Sequence, residues 1–557
     1  MFVTKQNPAQ VAKKSTSVAQ STFVKAAQKQ SAKTVSGNGA VKYSKLDDPL
    51  CTQFGILGSY KAPRSFQDIQ ADCELLWSLN SLQCVLFMFY IRMITRVTQL
   101  FNGDNTSVSQ KGAELRHEGI MRMIWLSVKS PDVFWRNIEI YIAISSWKDI
   151  ITMLQYDLVY NGWNGRVLNW DNFGQLLMEG LSNKNTCELV KKYLPQIRAN
   201  SQCTTIEAQA DNQIAKWICS LLFGVKEDTT GWTYKKYRKL KSAGTAHQWQ
   251  QLISRGQFDH IDFAKIHGRA LNLLVRSKFL KNHGLEEKYQ AWITKPETKE
   301  VKYTGFVHEL FEGLPNTLTR LSVGGQETIN KQFQTLIEKG GKSEQSKLIC
   351  VRDTSGSMGS ACTGTKLSCY NVAKALALYF SEFLTGAFSN AWIEFNSTAQ
   401  MHTWAGTTPL EKWFNDHSSY VGSTNFQSVI QLFCSLRANG LPEADFPVGI
   451  LMISDGELNK SSMNETNVET AKRTMLQYFS KEYVDNFIMC MWNLQSNHYG
   501  PSTGKKFETY EAETPNCFYF SGFSASVISF LTGKIMNQKE LLAAALNQEI
   551  LQLVKLD

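Results

Sequence analysis

Between residues 63 and 339 apolar side chains recur at steps of three and four, and beyond Gly340-Gly341 they gather into short unbroken runs. The first pattern is that of amphipathic helices, whose buried stripe returns about every 3.6 residues. Over 72–97 the stripe is Leu75, Leu76, Leu79, Leu82, Val85, Leu86, Phe89 and Met93, which predicts one long helix. Further helices are expected over 112–128, 133–155, 171–180, 187–197 and 206–222. Strand-like alternation is scarce in this half. Helix after helix without a clean sequence period predicts an α-solenoid, each unit burying its face against the next.

The second pattern predicts strands. Residues 348–351, 391–395, 448–453, 487–492 and 517–520 are short and apolar, with Glu394 the one charge. Such runs suit parallel strands covered on both faces. Between the first two, 366–384 aligns Leu367, Tyr370, Ala373, Leu376, Phe380 and Phe383 along one helix face. Alternation of strand and helix argues for a doubly wound sheet, with ligands at the carboxyl ends of its strands. Asn537-x-x-Glu540 then reads as the cap of a last helix, its stripe made by Leu542, Leu546, Ile550 and Val554, expected to pack back on the body. The fold class is therefore multidomain, α followed by α/β.

A chain of 557 residues with 43% apolar content exceeds one compact domain and has ample material for cores. The longest apolar run of the first half, 84–91, is far short of the roughly 20 residues that span a bilayer, so no membrane partner is expected. No apolar segment follows the first charges, so no secretory signal is expected either. Twelve Cys without a C-x-x-C pair, several of them inside apolar runs, read as reduced buried thiols of a cytoplasmic protein. Of the net charge of +10, residues 1–46 supply +8 through eight Lys with no Arg, Asp or Glu, leaving the remaining 511 residues nearly neutral. That tail is rich in Gln, Ser, Ala and Thr and is expected to be disordered. It serves either as a cationic arm for RNA, DNA or an acidic surface, or as a solubilising tail.

The chemistry concentrates at Val351-Arg352-Asp353-Thr354-Ser355-Gly356-Ser357-Met358-Gly359, directly after an apolar run. Asp353, Ser355 and Ser357 offer three oxygens to one small hard cation, and magnesium takes about six oxygen ligands near 2.1 Å. Gly422-Ser423-Thr424-Asn425 adds a hydroxyl. Met452-Ile453-Ser454-Asp455-Gly456 ends a second apolar run in a carboxylate. Asp353, Ser355, Ser357, Thr424 and Asp455, in that order, resemble the metal-ion-dependent adhesion site of a von Willebrand factor A domain. The resemblance implies Mg²⁺ (or Mn²⁺), a Rossmann-like fold, and a partner's Asp or Glu as the last ligand. It implies direct ligation by Ser355 and Ser357. Thr424 is then direct or water-bridged, and Asp353 and Asp455 act mainly through waters or hydrogen bonds.

A helical region followed by an A-type domain is similar to the Ro autoantigen (TROVE) family, on its Ro-like branch with a domain of unknown function. The similarity spans roughly 55–535. Tyr237-Arg238-Lys239-Leu240, Trp249 and the run Phe258, Ile261-Asp262-Phe263, Ile266, Arg269-Ala270 look like a family signature, with His267-Gly268 where the family has Pro-Ser. Trp147-Lys148-Asp149, Trp492-Asn493-Leu494 and Phe520-Ser521-Gly522-Phe523-Ser524 also match. The resemblance implies a HEAT-like repeat ring closed by the A domain, binding single-stranded ends or small non-coding RNA without catalysis. The expected divisions are 1–46 (tail), 47–342 (helical repeat), 343–535 (A-like domain) and 536–557 (C-terminal helix).

The best local case for RNA is Tyr234, Lys235, Lys236, Tyr237, Arg238, Lys239 and Lys241, cations for phosphates beside rings for unpaired bases, extended by Arg269 and Arg276. The same run also reads as a solvated basic helix face with half-buried Tyr. Enzymatic motifs fail. Leu336 stands where a P-loop needs Gly before Gly341-Lys342-Ser343, and Met121 and Glu312 stand where H-E-x-x-H needs its second His. There is no G-x-S-x-G. The expectation is an RNA-binding scaffold with a metal-dependent docking site, in the cytoplasm. The alternative is an assembly component that grips an acidic partner without RNA, in host cytoplasm or virion if phage-encoded.

Overall fold

The computed structural model describes residues 48–58, 64–93, 112–160, 167–225, 231–243, 248–298, 301–303, 305–340, 348–362, 366–418, 422–455, 465–494, 514–522 and 535–557, with the backbone of 33–35 and 41–43. Most of the expected tail, 1–46, thus lies outside the described residues. Within it, β1 (Lys33–Val35) and β2 (Val41–Tyr43) pair antiparallel, Thr34 opposite Lys42, so a hairpin stands where disorder was expected.

The N-terminal region is helical, as its periodicity requires, but the helices are shorter than the stripes. The run expected over 72–97 is two helices, Phe66–Leu79 and Ser81–Arg92. Asn80 ends the first and caps the second, accepting from Gln83 N–H at 2.9 Å. Residues 133–155 likewise form parts of three helices, Pro131–Arg136, Ile138–Ile144 and Trp147–Tyr160. The apolar stripe runs on through these breaks because both sides feed one core, so periodicity alone does not reveal them. Charge is buried here too. Glu118 pairs with Arg122 at 2.9 Å and with Arg64 at 3.1 Å. Asp149 accepts from Arg92 and pairs with Arg116 at 3.1 Å. The Trp147-Lys148-Asp149 element is thereby a packing element. Gly268 sits where a Cβ would be driven into the Lys302 carbonyl oxygen.

The C-terminal part is an α/β unit around a six-stranded sheet in the order β5-β4-β3-β6-β7-β8. The strands are β3 (Leu348–Asp353), β4 (Ala391–Phe395), β5 (Ala399–Thr403), β6 (Gly449–Ser454), β7 (Ile488–Asn493) and β8 (Cys517–Ser521). All neighbours run parallel except β4 and β5. The five expected strands are there, and the antiparallel edge strand β5 was not expected. Side chains alternate between two cores. Ile349, Val351, Ile450, Met452, Met489 and Met491 belong to the core that also holds Val429, Phe433, Ala471 and Val484 of the helices Phe426–Ala438, Asn467–Met475 and Lys481–Asn486. Leu348, Cys350, Leu451, Ile453, Cys490 and Trp492 face the other way, onto the helix Cys369–Ser381, in a core continuous with that of the helical region. Phe311 of the helical region stacks on Trp413 at 4.3 Å. The change of pattern at Gly340-Gly341 therefore marks a change of architecture but not a break in the core.

The described ends of the chain cross over. The helix Pro49–Gly55 lies against β8, with Gly58 N–H donating to Ser521 Oγ at 2.7 Å and Ser521 donating to the Gly55 carbonyl at 2.8 Å. The last helix, Gln538–Leu546, starts at the expected cap Asn537 but stops before Ile550, and the turn that follows delivers Ile550 and Val554 to the core. Gln538 brackets the Tyr519 backbone with two 3.0 Å hydrogen bonds. Lys555 and Asn137 exchange backbone-to-amide hydrogen bonds of 2.7 and 2.9 Å, strapping the C-terminal residues onto the helical region. No disulfide forms among the described residues, and burial pushes the Cys73 and Cys84 thiols up to about 12. Among the described residues no helix is long and apolar enough to cross a membrane.

Candidate metal centre

β3 and β6 are adjacent parallel strands with Arg352 opposite Ile453, so Asp353 and the pair Ser454-Asp455 emerge together at the carboxyl edge. Asp353 is fully buried, and both its oxygens are occupied. Oδ1 accepts from Ser355 N–H at 2.8 Å, and Oδ2 accepts from Ser454 Oγ at 2.5 Å. A short turn, Gly356–Gly359, then curls the chain back so that the Ser355 and Ser357 hydroxyls stand 3.1 Å apart. The second loop is drawn in by the Gly356 N–H, which donates to the Gly422 carbonyl at 3.3 Å. Gly422 has a φ of +88°, which a side chain rarely adopts, and a Cβ there would also press on Ser397 Oγ. Thr424 follows and is buried. Asn425 N–H donates to the Asn396 carbonyl at 2.8 Å, and the Asn396 amide reaches Thr354 Oγ1 at 3.2 Å. Asp455 is buried as well, its carbonyl accepting from Asn493 Nδ2 at 3.2 Å.

Burial pushes the Asp353 carboxyl up to about 7, and the Asp455 charge adds to the rise, against the lowering by the Ser454 and Ser355 hydrogen bonds. Two carboxylates buried within reach of each other are the setting in which a divalent cation is a natural counter-charge. The donor types suit such an ion: the hydroxyls of Ser355, Ser357 and Thr424 with the carboxylates of Asp353 and Asp455. Among the described residues no group of three or more His, Cys, Asp or Glu gathers as a metal cluster. The candidate site has two carboxylates, Asp353 and Asp455, beside the hydroxyls. The sequence reading missed Ser454, which positions Asp353, and Asn493, which holds the Asp455 backbone. Both were visible as polar residues closing apolar runs.

The basic helix, Trp232–Ala243, divides by face. Lys235, Lys236, Arg238 and Lys239 are exposed, and Lys236 Nζ lies 3.4 Å over the ring of exposed Trp232. Tyr234 is half-buried. Three of the expected RNA contacts are corrected. Tyr237 is buried and its hydroxyl donates to the Pro195 carbonyl at 2.9 Å, so no base stacks on it. Lys241 donates to the Leu194 carbonyl. Arg276 donates to the carbonyls of Leu310 and Glu312. Arg269 is largely exposed but pairs with Glu309 at 2.8 Å. A run of cations over two helical turns cannot all face outward, and Thr233, Tyr237 and Lys241, four apart, form the inner stripe. His117 lies between the Tyr156 hydroxyl and the Arg64 carbonyl, at 3.1 and 3.2 Å. With Glu118 held by Arg122 and Arg64, that dipeptide is structural.

Over residues 347–553 the chain is similar to a family described as a domain of unknown function (DUF7788). No curated protein matches it. The matched span takes in Asp353, Ser355, Ser357, Thr424 and Asp455 and leaves out the helical region before residue 347.

Proposed function

We propose that the chain is a non-catalytic docking scaffold, in which an A-type domain holds Mg²⁺ (or Mn²⁺) and grips an acidic residue of a protein partner. The observation that carries this reading is the pair of hydroxyls, Ser355 and Ser357, 3.1 Å apart in front of an Asp353 already committed to Ser355 N–H and Ser454. A cation held through neutral hydroxyls keeps most of its charge, which a partner's Asp or Glu completes. Ser355, Ser357 and Thr424 would hold the ion. Asp353 and Asp455 would orient its waters. The test is capture of partners by the full chain with Mg²⁺, with a chelator, and with Asp353→Ala. Capture lost in the last two supports the reading, and capture that survives both overturns it.

A second reading, RNA binding by a helical region that resembles the Ro repeat ring, is favoured by the outer face of the helix Trp232–Ala243. Four cations and an exposed Trp there suit phosphates and unpaired bases. An electrophoretic shift with total RNA, with and without residues 1–46, tests it. A shift that vanishes with the tail alone would remove the helical region as the RNA site. We place the protein in the cytoplasm, or in a virion if it is phage-encoded.

A further inference from the structure

Arg352 stands directly before Asp353 in the interior of β3, a position whose neighbours Leu348, Ile349, Cys350 and Val351 are all apolar. Its side chain is 0% exposed. Burying a guanidinium costs several kcal/mol before its partners are counted, and an apolar side chain of similar volume is commonly the more stable choice. A charge kept in such a place invites a question about what it holds.

The guanidinium lies 3.9 Å over Trp392 of β4 and 4.9 Å from the ring of Tyr370, on the helix that follows the first metal loop. It pairs with Asp416 at 2.7 Å and also donates to Ser418 Oγ. Tyr370 holds the same Ser418, hydroxyl to hydroxyl at 2.7 Å. Asp416 in turn accepts from Ser418 N–H at 3.2 Å and pairs with Lys374 at 3.3 Å. Asp416 and Ser418 belong to the segment that leads, four residues after Ser418, into Gly422-Ser423-Thr424. One guanidinium therefore joins the strand that ends in Asp353, just before Ser355 and Ser357, to Asp416 and Ser418, which precede Thr424 in the chain. The Gly356–Gly422 hydrogen bond ties the two loops directly, and Arg352 fixes Asp416 and Ser418 ahead of the second.

We propose that Arg352 is a positioning residue: it sets the Thr424 hydroxyl against the Ser355–Ser357 pair and so tunes the cation site. The inference rests on the reading of this edge as a metal centre. Its planar fork reaches Asp416 and Ser418 at once, which a Lys ammonium does not reproduce.

The test is calorimetric titration of the full chain with Mg²⁺, using wild type, R352M, D416N, T424A and the double variant R352M/T424A, with thermal melting of each. R352M and T424A should each weaken Mg²⁺ about tenfold, and the double variant should bind no worse than T424A alone, because both lose the same ligand. D416N should behave as R352M does and stands in for it if R352M does not fold. R352K should recover little. A purely structural Arg352 would lower the melting point yet leave the affinity unchanged, or its effect would multiply with that of T424A. Either outcome overturns the positioning role while wild type still binds Mg²⁺. Silence in the wild-type titration overturns the metal reading and this inference with it.

Discussion

Asp149→Ala is the sharpest test of how the helical region is held together. The Asp149 carboxylate is 0% exposed and faces two guanidinium groups, those of Arg92 and Arg116. Arg92 is itself 4% exposed on its side chain, and its stem passes over Gly119, where a Cβ would collide with it. Burial and the Asp149 charge also keep the phenol of buried Tyr141 protonated, well above its usual range. Alanine removes the carboxylate that Arg92 and Arg116 share and leaves buried Arg92 without the partner it donates to, with the Glu114 charge still acting on it. Breaking such a pair costs about 3–5 kcal/mol. For a cooperative unit of about 200 residues that is a midpoint fall of roughly 6–15 °C. The double change R92M/D149L replaces both charges by apolar groups and should return to within about 2 kcal/mol of wild type. Thermal melting of the full chain, followed by far-ultraviolet ellipticity, compares midpoints without assuming two states. A D149A midpoint within about 1 °C of wild type, or a double variant as unstable as the single one, would refute the reasoning.

Three further outcomes are expected. Burial alone would raise the Asp416 carboxyl, but the Arg352 and Lys374 charges hold it well below its ordinary 3.8. Its stabilising contribution is therefore full above that value and fades as pH falls toward the lower folded one. Tryptophan fluorescence from about pH 5 to about pH 2 should show an acid transition that D416N flattens. Gly268→Ala drives a methyl into the Lys302 carbonyl and should lower the melting midpoint through a shifted backbone, where Gly284→Ala, with open space but a φ of +65°, costs only local strain. Changing Lys235, Arg238 and Lys239 together to Ser should reduce the slope of log affinity for single-stranded RNA against log salt by about 2, roughly 0.7 per lost phosphate contact. An unchanged slope would take the RNA reading away from this helix.

The central strands were legible because each is covered on both faces and so reads as an unbroken apolar run; β4 begins and ends where its run does. β5 was not, because Ala399-Gln400-Met401-His402-Thr403 is a half-exposed edge with little apolar signal. That Asp353 and Asp455 meet at one sheet edge could be read from their closing runs that become adjacent strands. Ser454 and Asn493 were on the page but without a role, since their partners lie on other strands. The cage around Arg352 draws on Trp392, Tyr370, Asp416 and Ser418, all distant in sequence, and local pattern has no means to assemble them. The opposite error befell Tyr237, Lys241 and Arg276, whose cationic or aromatic character suggested a surface role: the first two fall on the inner stripe of their helix, and Arg276 donates to the carbonyls of Leu310 and Glu312.

The most direct measurement is titration of the full-length protein with Mg²⁺, and with Mn²⁺ as a paramagnetic probe, in wild type and in Ser355→Ala/Ser357→Ala. One ion per chain, lost in the double variant while melting stays near wild type, is the predicted result. No uptake of either ion by wild type, or uptake that ignores both hydroxyls, would contradict a metal centre at this sheet edge.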